Sequence, residues 1–106
     1  MSEPTPRRLE RIAAQFARIA ACVEERRDDA ELADTLRETR ALCEWAAQPP
    51  SASAELFTNL TTALETWRTV WPRLGRQPEF RQAVAREAGR WARHVAALAK
   101  SPAASR

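Results

Sequence analysis

The sequence has little glycine and few of the residues that carry out chemistry. Only two glycines occur in 106 residues, tyrosine is absent, and histidine occurs once. No apolar run approaches the roughly 20 residues of a membrane-spanning helix, and Met1 to Arg8 lack the apolar stretch of a secretory signal. No catalytic motif is present. We therefore expect a cytoplasmic protein that does not enter membranes, acts on no small-molecule substrate and is not an enzyme.

The residues that bind metal ions in other proteins are sparse and poorly spaced here. Cys22 and Cys43 lack the CxxC spacing of zinc sites, and in the cytoplasm we expect both to be free thiols. His94 has no Cys, Asp or Glu three or four residues away, and we expect it to border the core. The acidic cluster from Glu24 to Asp34 lacks the EF-hand pattern. We therefore expect no metal site, no cofactor and no catalytic residue.

The abundant residues, Ala, Leu, Arg and Glu, favour helices, and the prolines and glycines fall between long segments of helical periodicity. A break near Arg27-Asp28 separates the first two helices, and the Pro49-Pro50 linker separates the second from the third. Asp28 or Asp29 is the expected N-cap of the second helix, and Ser53 is that of the third. The resulting prediction is one helical domain over residues 7–100, with helices at 7–26, 29–47, 54–74 and 78–100 and flexible tails at 1–6 and 101–106.

Each predicted helix carries an apolar stripe. The third is the most regular, since its apolar residues recur at alternating spacings of three and four along one helix face. The second stripe is weak: it consists of Leu32, Leu36, Thr39, Cys43 and Ala46. We predict an all-α, single-domain four-helix bundle with antiparallel up-and-down topology. The weak second stripe leaves two helical hairpins that dimerise as the alternative.

The four tryptophans divide into two groups. Trp67, Trp71 and Trp91 fall on the third and fourth stripes, and we interpret them as a buried aromatic cluster rather than a ligand-stacking site. Trp45 lies about 160° around the second helix from its stripe. It either packs under the Pro49-Pro50 linker or is an exposed anchor for a protein partner, and the sequence leaves both open.

Charge is distributed unevenly along the chain. Residues 1–65 hold 8 basic and 12 acidic residues, whereas residues 66–106 hold 9 basic and 2 acidic ones. This asymmetry indicates an anionic partner or polar contacts between subunits. The excess of arginine lies on one face of the fourth helix and the turn before it. The candidate nucleic-acid-binding residues are Arg73, Arg76, Arg86, Arg90, Arg93 and Lys100.

In size, in its four apolar stripes and in the basic face of Arg76, Arg86, Arg90 and Arg93, the chain resembles the small helical-bundle subunits of CRISPR effector complexes. The resemblance implies a non-enzymatic subunit that stacks against other subunits, including copies of itself, and contacts the backbone of RNA or DNA. We therefore expect assembly into a nucleoprotein complex, with non-specific backbone contacts through the fourth helix. The alternative is an adaptor or inhibitor that docks on an acidic protein surface.

Overall fold

The chain forms four helices, as the periodicity predicts. The computed structural model describes residues 5–26, 28–48 and 53–100. Each helix begins and ends within two residues of its expected bounds. The helices are α1 (Pro6–Glu24), α2 (Asp29–Ala46), α3 (Ala54–Leu74) and α4 (Pro78–Ala99). The break at Arg27, the linker at 49–52 and the tails at 1–4 and 101–106 lie outside the described residues.

Polar side chains mark where the helices start. The hydroxyl of Thr5 accepts a hydrogen bond from the backbone N–H of Arg8, and Pro6 occupies the first turn of α1. These two residues were expected in the N-terminal tail and instead begin the helix. Asp28 caps α2, as predicted, because its carboxylate accepts the N–H of Ala30 at 3.0 Å. Ser53 takes the N-cap position of α3.

The four helices pack as an antiparallel bundle, which confirms the predicted fold class. α1 packs most extensively on α4 and also contacts α2, while α2 packs on α3. α3 and α4 contact each other only sparsely, although a short turn joins them. In this topology the α1–α2 turn and the α3–α4 turn lie at the same end of the bundle. Two contacts join them there: Trp71 donates to Asp29, and Arg81 donates to the carbonyl of Val23.

The weak second stripe is fully buried. Thr35 and Thr39 lie in the core because each hydroxyl donates to the backbone carbonyl one turn earlier, at 2.8 and 2.7 Å. A buried hydroxyl that has a partner costs little, so α2 can face the core despite its polar residues. The core thus closes within one chain around Phe16 and Phe57, which are both completely buried.

Small residues set the close approach of α1 and α4. Ala13 and Ala20 of α1 and Ala88 and Ala99 of α4 are buried, and side chains of this size allow two helix axes to come near each other. Although α4 packs closely on α1, three large residues of its predicted stripe are only half-buried. These residues are Phe80, Trp91 and Leu98.

The predicted aromatic cluster is therefore wrong in part. Trp67 and Trp71 are buried, each with 8% of its surface exposed, but Trp91 is only half-buried. Trp71 contacts Phe80, with ring centroids 5.7 Å apart, and Trp91 contacts His94 edge-on at the same distance. Among the described residues no two tryptophan rings are in contact.

Candidate nucleic-acid interface

The fold changes how the uneven charge is arranged in space. The closely packed pair α1 and α4 contains eight arginines and four glutamates, a net charge of +4. The pair α2 and α3 contains four arginines and seven acidic residues, a net charge of −3. The acidic α1–α2 turn and the basic α3–α4 turn lie at the same end. The charges are therefore separated across the bundle, from one side to the other.

An open groove of about 650 Å³ runs between the end of α1 and α4, from Pro78 to Arg93. Its floor includes Ala20, Ala85 and Gly89, whose small side chains leave space above the tight helix pair. Its charged lining residues are Arg26, Arg81, Arg86, Arg93 and Glu24. We call these four arginines and their surroundings the arginine groove. Four guanidinium groups against one carboxylate make it suited to anions that carry several charges.

Arg86 and Arg93 are the two sequence-predicted residues that line the groove. Both are exposed, and neither forms an ion pair with any described residue. They stand two helical turns apart, a rise of about 10 Å along α4. A guanidinium nitrogen of Arg93 lies over Gly89, 3.6 Å from where a β-carbon would be, which is an ordinary contact distance. Their donors are therefore available for a ligand.

Arg81 is held in place by the fold. Its guanidinium donates to the carbonyl oxygens of Gly75 and Val23, both at 2.7 Å, and lies 5.2 Å from the ring centroid of Trp71. Arg81 therefore joins α1, the α3–α4 turn and α4, and fixes a positive charge at one end of the groove. The prediction omitted this residue. A signal was present, because Arg81 lies three residues before buried Val84 and so falls on the apolar stripe of its helix.

Arg26 is the second lining residue that the prediction omitted. It follows the last turn of α1 with φ 53°, the left-handed region in which residues other than glycine are strained. This conformation directs the chain out of α1 and leaves Arg26 at the edge of the groove. The sequence carries no signal for it, since glycine is the usual residue at such a position.

The structure does not bring all six predicted basic residues together. Arg90 pairs with Glu87, and its guanidinium carbon lies 5.5 Å from the ring centroid of Trp91. Arg73 and Arg76 are exposed at the α3–α4 end, outside the groove lining. Lys100 is exposed at the opposite end of α4, about 33 Å from its start. The predicted set is thus spread along α4, with only Arg86 and Arg93 in the arginine groove.

Trp45 is the one large apolar side chain that is exposed among the described residues, with 40% of its surface accessible. The guanidinium carbon of Arg8 lies 4.1 Å from its ring centroid, a distance typical of a cation–π contact. Antiparallel packing of α1 and α2 places this pair at the end of the bundle away from the arginine groove. Of the two sequence alternatives, exposure is the one observed, and the Pro49-Pro50 linker lies outside the described residues.

The remaining candidate groups for chemistry are buried or isolated. Cys22 and Cys43 are both buried thiols that form no disulfide with each other, and burial raises the pKa of the Cys43 thiol to about 12. Cys22 lies off the predicted stripe, yet only 1% of it is exposed, and its thiol donates to Glu31. His94 is exposed against the edge of Trp91, not at the core as expected. Within residues 5–26, 28–48 and 53–100, no group of three or more His, Cys, Asp or Glu could hold a metal ion.

None of the helices within the described ranges is both long and apolar enough to cross a membrane. Comparison with family models, with curated proteins and with solved structures finds no match to this chain. What the structure itself supports is a four-helix, all-α architecture.

Proposed function

We propose that this chain is a non-enzymatic helical subunit of a larger nucleoprotein assembly, and that it contacts the nucleic-acid backbone through the arginine groove. The single observation that carries the proposal is the grouping of Arg26, Arg81, Arg86 and Arg93 around one open groove, where Glu24 is the only acidic lining residue in the described part of the chain. Planar guanidinium groups bind phosphate oxygens bidentately, and backbone contacts require no base recognition. Cytoplasmic assembly with other subunits, including copies of itself, remains part of this proposal.

The charge on the two sides of the bundle supports the same function. The net charge of +4 on α1 and α4 attracts a polyanion, while the acidic α2 and α3 side repels it. A strand would therefore be oriented towards one side of the subunit. The α2 and α3 side is then free to contact other protein subunits, as the resemblance to the small subunits of CRISPR effector complexes implies.

The experiment is a titration of fluorescent single-stranded and duplex nucleic acids with the protein at several salt concentrations. We expect binding at low salt whose affinity falls linearly with the logarithm of salt concentration, because bound arginines release counterions from the phosphates. Absence of binding at low salt, or an affinity that does not change with salt, would contradict the proposal.

A second candidate function is docking on a protein partner, which the exposed pair Arg8–Trp45 favours. An indole and a guanidinium stacked together offer apolar area and charge to an acidic surface, and Trp and Arg dominate the energetics of many interfaces. Trp45→Ala would reduce capture of an acidic partner and leave nucleic-acid binding unchanged. Unchanged capture by that variant would exclude this surface.

A further inference from the structure

Trp91 differs from the other tryptophans of the fold in its surroundings. Trp67 and Trp71 are buried, whereas Trp91 is only half-buried. The guanidinium of Arg90 lies over its ring, and the exposed imidazole of His94 meets it edge-on. A partly exposed aromatic ring thus lies beside a cation and a second ring, on the helix that carries the groove arginines.

The positions on α4 connect this ring to the arginine groove. Successive helix residues turn by about 100°, so the exposed side of α4 presents Arg93, Arg86, Arg90, His94 and Trp91 in that order around the helix. The span from the groove to Trp91 is about one helix diameter, roughly 10 Å. A flexible strand can place phosphates on one side of this surface and a base on the other.

We infer that α4 is built for single-stranded nucleic acid, with Arg86 and Arg93 binding phosphates and Trp91 stacking on an unpaired base. Proteins that bind single strands without sequence preference combine a basic groove with aromatic platforms in this way, because every base has an apolar face. A duplex hides its base faces in its own stack and cannot use Trp91. This inference rests on the proposed function and specifies its ligand as a single strand.

The test compares two strands of about ten nucleotides, oligothymidylate and an abasic strand of the same length, which keeps the phosphates and lacks the bases. We expect the protein to bind oligothymidylate between about 5-fold and about 150-fold more tightly than the abasic strand. Trp91→Leu should remove that preference and leave the affinity for the abasic strand unchanged. Trp91→Phe, which keeps a ring, should retain part of the preference.

Trp45→Leu is the matched control, since it removes another accessible indole far from the arginine groove and should change neither affinity. If Trp91→Leu does not fold, the Trp45→Leu protein supplies a second measurement. Its indole fluorescence should be quenched by oligothymidylate and not by the abasic strand, because Trp67 and Trp71 are buried.

The outcomes separate the two proposals. If neither strand binds at low salt, the proposed function is wrong and this inference is wrong with it. If both strands bind equally, or if Trp91→Leu keeps the full preference for oligothymidylate, backbone binding stands and the stacking role of Trp91 is wrong. Tighter binding of a duplex than of the single strand would likewise overturn the inference alone.

Discussion

The guanidinium of Arg81 donates a 2.7 Å hydrogen bond to the backbone carbonyl of Val23, 58 residues earlier in the chain. The bond ties the start of α4 to the end of α1, at the edge of the groove that contains the other three arginines. A second bond of equal length, to the carbonyl of Gly75, fixes the α3–α4 turn. The geometry of the candidate interface therefore depends on Arg81, whose guanidinium already donates to two backbone carbonyls of the fold.

Arg81→Met should lower the free energy of unfolding by about 2 kcal/mol, because two charge-assisted hydrogen bonds to backbone carbonyls are lost. Chemical denaturation measures the change. Arg37→Met is the matched control: its side chain is 74% exposed and pairs only with Asp34 among the described residues, so stability should change by about 0.5 kcal/mol or less. Equal effects of the two variants would contradict the role of Arg81.

The two glycines should respond oppositely to alanine. A β-carbon at Gly75 would lie 2.7 Å from the Trp71 indole and 2.7 Å from the Trp71 carbonyl oxygen, so something must move. Gly75→Ala should destabilise the protein by about 1–3 kcal/mol. At Gly89 the nearest atom is 3.6 Å away, at the end of the Arg93 side chain. Gly89→Ala should stabilise α4 by up to about 1 kcal/mol, and thermal unfolding of both variants checks the difference in sign.

Arg26 offers a test that separates stability from binding. Arg26→Gly relieves a left-handed backbone at φ 53° and should raise the free energy of unfolding by about 1 kcal/mol. It also removes a positive charge from the groove, so affinity for nucleic acid should fall. Arg26→Ala keeps the strain and removes the same charge. Arg26→Ala should therefore bind nucleic acid as weakly as Arg26→Gly does and be as stable as the unsubstituted protein. A lower free energy of unfolding for Arg26→Gly than for the unsubstituted protein would contradict this account.

Cys43 should make stability depend on pH in the alkaline range. Its pKa is raised from 9.0 to about 12 in the folded protein by burial and, to a smaller extent, by Glu44. The unfolded thiol ionises first, so its contribution to stability is complete below pH 9 and is lost as pH rises towards about 12. Across this pH range, chemical denaturation should show that the free energy of unfolding falls more for the unsubstituted protein than for Cys43→Ala. Parallel pH profiles would mean that Cys43 is not buried as described.

The fold could be predicted because the apolar periodicity is regular within each helix, although Pro72 lies inside α3 and neither proline nor glycine separates α1 from α2. The regular stripe from Phe57 to Trp71 and the cap at Asp28 each determine local structure from adjacent residues. The candidate site could be predicted only in part. Arg86 and Arg93 were found from charge, but the role of Arg81 depends on carbonyl groups in distant segments, which no local pattern encodes.

The prediction that Trp91 is buried failed for a related reason. Periodicity identifies which side of α4 is apolar, but the neighbour that covers it depends on how closely each helix pair packs. Alanines bring α4 close to α1, and α3 covers the other edge of the stripe only sparsely. The side-to-side separation of charge has the same origin, since it depends on α1 lying beside α4.

The most direct test of the central claim is the salt dependence of single-strand binding by the double variant Arg86→Ala/Arg93→Ala. The slope of log affinity against log salt should become less steep by about 1.4, since each lost phosphate contact removes roughly 0.7. Arg37→Ala/Arg68→Ala removes the same formal charge from the acidic side and should leave the slope unchanged. If both double variants change the slope equally, net charge rather than the arginine groove governs binding, and the account is wrong.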